Sequence, residues 1–255
     1  MSSDAGRQLH RVVMLAEPAD PSSPFVEALR DYVFAEVWSR PGLSRRDRRW
    51  VTLTCVAAAD APGPIADHVY AALRSDDIEL SAMLEGVLQI AVYLGWPKAA
   101  HLEGEIARQW ARLAQERGEA PQPWPPLLNT TLGPNDWEER IARGVEEFEE
   151  VNLVPAPDPS SPYRHAGILS FVFGHVWQRA GLSRRDRRLI TVSAVALQDA
   201  PSPLQSHVTS ALHSGDLSKD EMDELVLQLA VYAGFAKGER LQEVADSAWA
   251  ARPQA

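Results

Sequence analysis

After Arg49 the chain runs through Trp50, Val51, Leu53, Cys55, Val56 and Ala57 with few polar positions, and it repeats this from Leu189 onward. A segment apolar on every face reads as a buried helix. Its β-branched residues also permit a strand, but the run is longer than a strand needs. Ser44 and Ser183 stand just ahead, each followed three residues later by an acid, Asp47 or Asp186, the pattern of a capping box. A second helix opens at "PGP" or "PSP", where proline is tolerated in the first turn. Its apolar stripe is Ile65, His68, Val69, Ala72 and Leu73, and in the later stretch Leu204, His207, Val208, Ala211 and Leu212. That helical spacing turns His68 and His207 inward. "SKDEMDELVLQLAVYAG" predicts a third helix, with a capping box at Ser218 and Glu221 and a stop near Gly234. "AKGERLQEVADSAW" predicts a fourth. The fold class is all-α.

These helices come in two sets because the chain is a tandem duplication. "VFAEVWSRPGLSRRDRRWVTLTCVAAADAPGPIADHVYAAL" lies over "VFGHVWQRAGLSRRDRRLITVSAVALQDAPSPLQSHVTSAL" at one constant offset, that from Trp38 to Trp177. Within it "LSRRDRR" recurs letter for letter. The proline-rich stretch between the copies reads as a linker, so the domains are expected at 1–115 and 135–255 with a linker over 116–134. Two near-identical helical domains should pack as a pseudo-twofold pair.

Composition narrows the function classes. The formal net charge of −10 and a pI near 5.2 argue against a nucleic-acid or anionic-membrane partner. The best apolar run, "GVLQIAVYLGW", is interrupted by Gln89 and Gly95 and is too short to span a bilayer. The N-terminal stretch lacks the apolar core of a signal peptide, so a cytoplasmic location is expected. The single Cys55 excludes an intrachain disulfide or a cysteine-based zinc cluster. HExxH, a glycine-rich phosphate loop and GxSxG are all absent, and no metal is expected.

Candidate chemistry rests on a few residues. Arg45, Arg46, Arg48 and Arg49, with their second-copy counterparts, open a helix whose dipole is already positive there. They read either as a surface or interface cluster paired with acids, or as a receptor for a carboxylate or enolate oxygen. His68 and His207 read either as core residues satisfied by one hydrogen bond or as imidazoles held neutral by burial and able to exchange a proton. Trp38, Trp177, Tyr93 and Tyr232 pack the core or wall a pocket. Glu36 against His175 is the sharpest chemical difference between the copies.

The ordered set WxRxGL, RxxRR with a nearby threonine, HxxxAL and QxAVYxG resembles the carboxymuconolactone decarboxylase family of the alkylhydroperoxidase-like superfamily. The resemblance implies an all-α fold and assemblies built from dimers, so three tandem chains would close a ring as a homotrimer. The peroxidase branch uses CxxC before its histidine and an earlier glutamate. Ala61 and Pro64, or Ala200 and Pro203, stand at the cysteine positions here, and Arg49 and Arg188 replace the glutamate. Thiol peroxidase chemistry is therefore excluded. The decarboxylase branch acts on a doubly anionic lactone of aromatic catabolism, and a specialised biosynthetic pathway is the other setting considered. By this resemblance His207 and His68 are the proton donors, and Arg187 and Arg48, or Arg188 and Arg49, hold the retained anionic group or the oxyanion. Arg188, Arg49, His175, Glu36, Trp177, Trp38, Tyr232 and Tyr93 would bind the substrate. The expected activity is a cofactor-free lyase or isomerase acting on an anionic or enolisable carbonyl compound. The contrasting expectation is a non-catalytic, oligomeric small-molecule-binding protein.

Overall fold

A computed structural model describes residues 2–20, 22–120, 122–127, 132 and 137–252, and among these there is no strand. The first copy consists of α1 (Ser2–Met14), α2 (Pro24–Ala28) running into a π-helix (Leu29–Trp38), α3 (Arg45–Ala59), α4 (Pro62–Arg74), α5 (Leu80–Leu94) and α6 (Trp96–Glu116). The second consists of α7 (Trp137–Asn152), a π-helix (Tyr163–Phe173), a 3₁₀ turn (Val176–Gln178), α8 (Arg184–Leu197), α9 (Pro201–His213), α10 (Lys219–Ala233) and α11 (Phe235–Ala250). The four helices expected in each copy form. α1, α7 and the π-helices are additions. Between α6 and α7 the described residues carry no helix, and the rest of the expected linker lies outside the described residues.

The helix starts are chemically explicit. Ser44, Ser183 and Ser218 each accept from the backbone N–H three residues on, and Asp47, Asp186 and Glu221 accept in return from the serine N–H. α10 stops at Gly234, whose φ of 100° is a left-handed conformation that a side chain would strain. α3 and α8 are buried almost throughout from Asp47 and Asp186 onward, as the mostly apolar run beyond their charged first turn requires. One core runs from Leu43 to Ala248 through both copies, so neither half packs as an independent body.

The doubled LSRRDRR is the clasp between the halves. Arg46 donates to Asp186 (3.2 and 3.1 Å), and Arg185 donates to Asp47 (3.3 and 3.1 Å). Each aspartate therefore closes its own capping box and also receives the opposite arginine. Arg40 pairs with Glu224 and Arg179 with Glu85 in the same reciprocal way. Such mirrored contacts are those of an isologous, pseudo-twofold interface.

The outer helices meet the π-helices at close range. A Cβ on Gly6 would lie 3.0 Å from the Arg30 carbonyl carbon, and one on Gly144 would lie 2.7 Å from that of Leu169. The copies differ where Ala35 becomes Gly174. The second π-helix ends at Phe173, and Gly174 packs against the backbone of Arg140, where a Cβ would not fit. The first continues to Trp38.

Candidate functional site

Each half carries one aromatic-lined cluster, and the opposite half completes it. In the first, Trp38 at the end of the π-helix stacks on His68 of α4, with centroids 6.2 Å apart and planes 9° apart. Tyr232 of α10, from the second half, meets His68 edge-on at 5.4 Å. The Trp38 Nε1–H donates to the Tyr232 hydroxyl at 2.9 Å. Arg49 of α3 lies over Trp38 at 5.2 Å and brings Nη1 to 3.5 Å from His68 Nδ1. In the second, Trp177 stacks on His207 (6.3 Å, 3°) and Tyr93 of α5 meets it edge-on at 5.4 Å. The Trp177 Nε1–H donates to the Tyr93 hydroxyl at 2.9 Å, and Arg188 lies over Trp177 at 5.5 Å.

Burial governs the electrostatics. Burial, with Arg49 beside it, lowers His68 to about 3, and burial with Arg188 nearby lowers His207 to about 3. Both imidazoles are uncharged at neutral pH. Burial raises Tyr93 and Tyr232 to about 12, so both remain phenols. It also lowers Arg49 and Arg188 against the pull of Asp77 and Asp216.

A test of this dryness is stability against pH. The unfolded imidazoles titrate at their ordinary value near 6.5, so as the pH falls below it only the unfolded chain takes up protons. Stability is then lost toward the folded value, by about 1.4 kcal/mol per pH unit and per histidine. Replacing both histidines with glutamine is expected to flatten the slope of unfolding free energy between about pH 5 and 6 by up to about 2.7 kcal/mol per pH unit. Urea titrations across that range check it, and an unchanged slope would mean that the folded imidazoles titrate normally.

Arg48 and Arg187 take positions other than those expected of substrate ligands. Arg48 donates to Gln228 (3.0 Å), to Glu224 (2.8 Å) and to the Arg40 carbonyl (2.9 Å). Arg187 donates to Gln89 (2.9 Å) and to the Arg179 carbonyl (2.5 Å). These guanidiniums therefore bridge the halves. They reach the clusters only through a relay: Gln228 donates to Thr52 (3.0 Å), which is hydrogen-bonded to Tyr232. Gln89, Thr191 and Tyr93 repeat it. Thr52, Thr191, Gln89 and Gln228 stand in the motifs shared by both copies but carry no site role in the sequence reading. The available signal was a polar residue at the same place in both copies of an otherwise apolar helix.

Glu36 is exposed on the first π-helix, so it stays outside the cluster. His175 is buried with its ring 5.8 Å from Phe171. Burial, Arg179 and Arg140 lower it to about 4.

A surface cleft opens beside each cluster. One of about 310 Å³ is lined by His10, Met14, Glu17, Asp67, Tyr70 and Arg112, among others. Its counterpart, about 590 Å³, is lined by Asn152, Val154, Pro201, Gln205, Ser206 and Thr209, among others. Asp67 and Tyr70, or Ser206 and Thr209, neighbour the histidine on its helix and line the cleft. Neither lining includes the histidine, tryptophan, tyrosine or arginine of a cluster, so neither cleft is a cavity on which those side chains converge.

With this geometry in place, the comparisons with known proteins can be read. The profile of the carboxymuconolactone decarboxylase family matches residues 23–107 and again 165–247, together more than half of the chain. The chain belongs to the carboxymuconolactone decarboxylase family. Each match covers one cluster's tryptophan, arginine and histidine, as expected of a tandem member. A stretch of 79 residues is 32% identical to a 4-carboxymuconolactone decarboxylase of Acinetobacter baylyi, covering 31% of this chain and 58% of that protein. Another of 78 residues is 36% identical to a nitrosuccinic acid decarboxylase of Metarhizium robertsii, covering 29% and 54%. The chain thus spans a little over half the length of these two relatives. An uncharacterized 15.0 kDa protein of Paracoccus denitrificans is 31% identical over 114 residues, 44% of this chain and 84% of that protein. Among the described residues no helix is long and apolar enough to cross a membrane, and no cluster of side chains suits a metal ion.

Proposed function

We propose that this protein is a cofactor-free lyase or isomerase that acts by acid–base chemistry on a small organic anion with an enolisable carbonyl, a decarboxylation in the first instance. The observation that carries this reading is the convergence of Trp, Arg and a dry, neutral imidazole of one half with a phenol of the other. In a decarboxylation the bond to the carboxylate carbon breaks and its electron pair moves into the neighbouring carbonyl as an enolate. The buried phenol and the nearby guanidinium stabilise that oxygen. A proton then passes to carbon from the imidazole. At rest the imidazole carries no such extra proton, so it must take one from solvent when the anion binds and offsets Arg49 or Arg188. An arginine gripping the departing carboxylate would favour the ground state, so the cation belongs at the retained oxygen.

Incubation with 4-carboxymuconolactone, followed by ultraviolet absorbance, tests the narrowest form, and no change removes it. For whatever anion a metabolite screen finds turned over, the double variant His68→Ala/His207→Ala is expected to lower kcat by about a hundredfold or more. Unchanged turnover ends the acid–base assignment. The competing reading, a binding protein without catalysis, is favoured by one observation: Arg48, Arg49, Arg187 and Arg188 all already donate to protein partners, although Arg48 Nε has none. It predicts that ligands bind in that screen and none is consumed.

We also place three chains in one ring. Exposed apolar residues recur at matching places, Phe25 with Tyr163 and Trp96 with Phe235, as self-association requires. Light scattering is expected to give three times 28.1 kDa, and a mass of 28.1 kDa would refute the ring.

A further inference from the structure

We infer that the two clusters are no longer equivalent: His207, in the second half, is the imidazole left with an unpaired nitrogen that a small organic anion can bond, and Ser210 is the positioning residue that keeps it unpaired. This rests on the small-anion reading above and says which of the two places serves it.

The first observation concerns the imidazole. His207 Nδ1 is buried without a hydrogen-bond partner, and the residue is only 6% exposed. His68 Nδ1 faces Arg49 Nη1 at 3.5 Å. One substitution accounts for the difference. Ser210 stands in α9 where α4 has Ala71. The Ser210 hydroxyl accepts from Arg188 Nη1 at 3.0 Å and donates to the His207 carbonyl at 3.3 Å. Ala71 can accept nothing, so the equivalent nitrogen of Arg49 turns to the imidazole. An orphaned buried nitrogen carries a desolvation cost, which a ligand able to bond it removes.

The second observation is the cleft on the neighbouring face of the helix. In the first half it is lined by Asp67 and Tyr70, among others, and Tyr70 is clamped: its hydroxyl donates to Glu116 at 2.9 Å, and Arg112 covers its ring at 4.0 Å. Glu17 adds a second carboxylate to that lining. In the second half the same positions are Ser206 and Thr209, and the wider cleft contains no charged residue among its lining. Asn152, Ser202, Gln205, Ser206 and Thr209 offer neutral hydrogen-bonding groups there. An anion in the first cleft meets the carboxylates of Asp67 and Glu17, the latter paired with Arg11, and an Arg112 guanidinium that covers the pinned ring, whereas in the second it meets amides and hydroxyls. The uncharged lining and the unpaired nitrogen favour the second half.

Diethyl pyrocarbonate, a small neutral reagent that acylates unprotonated imidazole, tests this without a known substrate. With modification mapped by mass spectrometry and His101 as the internal reference, His207 is expected to react at least about tenfold faster than His68, the factor set by one hydrogen bond to a charged donor. Ser210→Ala should slow His207 toward the His68 rate as Arg188 turns to the ring. Its Nδ1 resonance should move toward that of His68 in a ¹⁵N spectrum, a shift that mere loosening would not give. Tyr70→Thr should speed His68. Equal rates in the parent protein, no reaction at either histidine, or a Ser210→Ala protein with an unmoved Nδ1 resonance would each overturn the inference. Failure here would leave the effect of the double histidine variant on turnover untouched, whereas success here with no turnover would point to a binding site without catalysis.

Discussion

Glu224→Ala is expected to lower the unfolding free energy by about 3–5 kcal/mol, although the residue lies outside both clusters. Arg48 is 1% exposed and extends from the first half into the second, where it forms an ion pair with Glu224 at 2.8 Å. Removing the carboxylate leaves a guanidinium in the core with Gln228 and one backbone carbonyl as partners. Taking that charge out of water was tolerable only with the counter-charge present. Arg40 also loses its partner, but it is half exposed and water replaces it at little cost. The expected asymmetry is a sharper test. Replacing both Arg48 and Glu224 with methionine should recover most of the loss, because a packed apolar pair avoids the desolvation that the ion pair must offset. Chemical denaturation of the three proteins decides it. A loss below about 1 kcal/mol for Glu224→Ala would show that the halves are not held this way.

The second large effect is steric. Gly144→Ala adds a methyl group to α7 where its backbone meets the second π-helix, overlapping the Leu169 carbonyl and lying 3.0 Å from the Gly174 nitrogen. Both neighbours are backbone and neither can rotate away, so α7 must move off the π-helix. A cost at or above the usual 1–3 kcal/mol of overpacking follows. The displacement would also disturb Val151, near the end of α7, whose carbonyl accepts from Arg188 at 2.5 Å. Reactivity at His207 should therefore change along with stability. Gly63→Ala is the control. It lies in α4 with open space where its Cβ would go, and it should be neutral or gain up to about 1 kcal/mol. Similar melting temperatures for the two variants would contradict the close approach.

Much of the local structure was legible before any coordinates. The capping boxes at Ser44, Ser183 and Ser218 form as read, since a cap depends on residues three apart in the chain. His68 and His207 turn inward and are dry, because helical spacing decides which residues share a face. Trp38, Trp177, Tyr93, Tyr232, Arg49 and Arg188 were all named, and all join the clusters. The functional reading of Arg48 and Arg187 did not anticipate their use. The sequence places them in the same turn as Arg49 and Arg188, but successive residues on a helix point about 100° apart, and only the neighbouring helices determine what each meets.

By itself, then, the sequence determined the duplication, the helices, their starts and the inward imidazoles, all of which depend on residues near one another in the chain. Only the tertiary structure decided that Tyr232 completes the His68 cluster and Tyr93 the His207 cluster, because a repeat states that two copies are alike and is silent on how they interlock. Tertiary structure likewise turned Ser210 and Ala71 from an unremarked difference into one that decides where a buried arginine points. The physical reason is that a hydrogen bond in a dry core is chosen among whatever partners packing brings within about 3 Å, and that choice involves helices far apart in the chain.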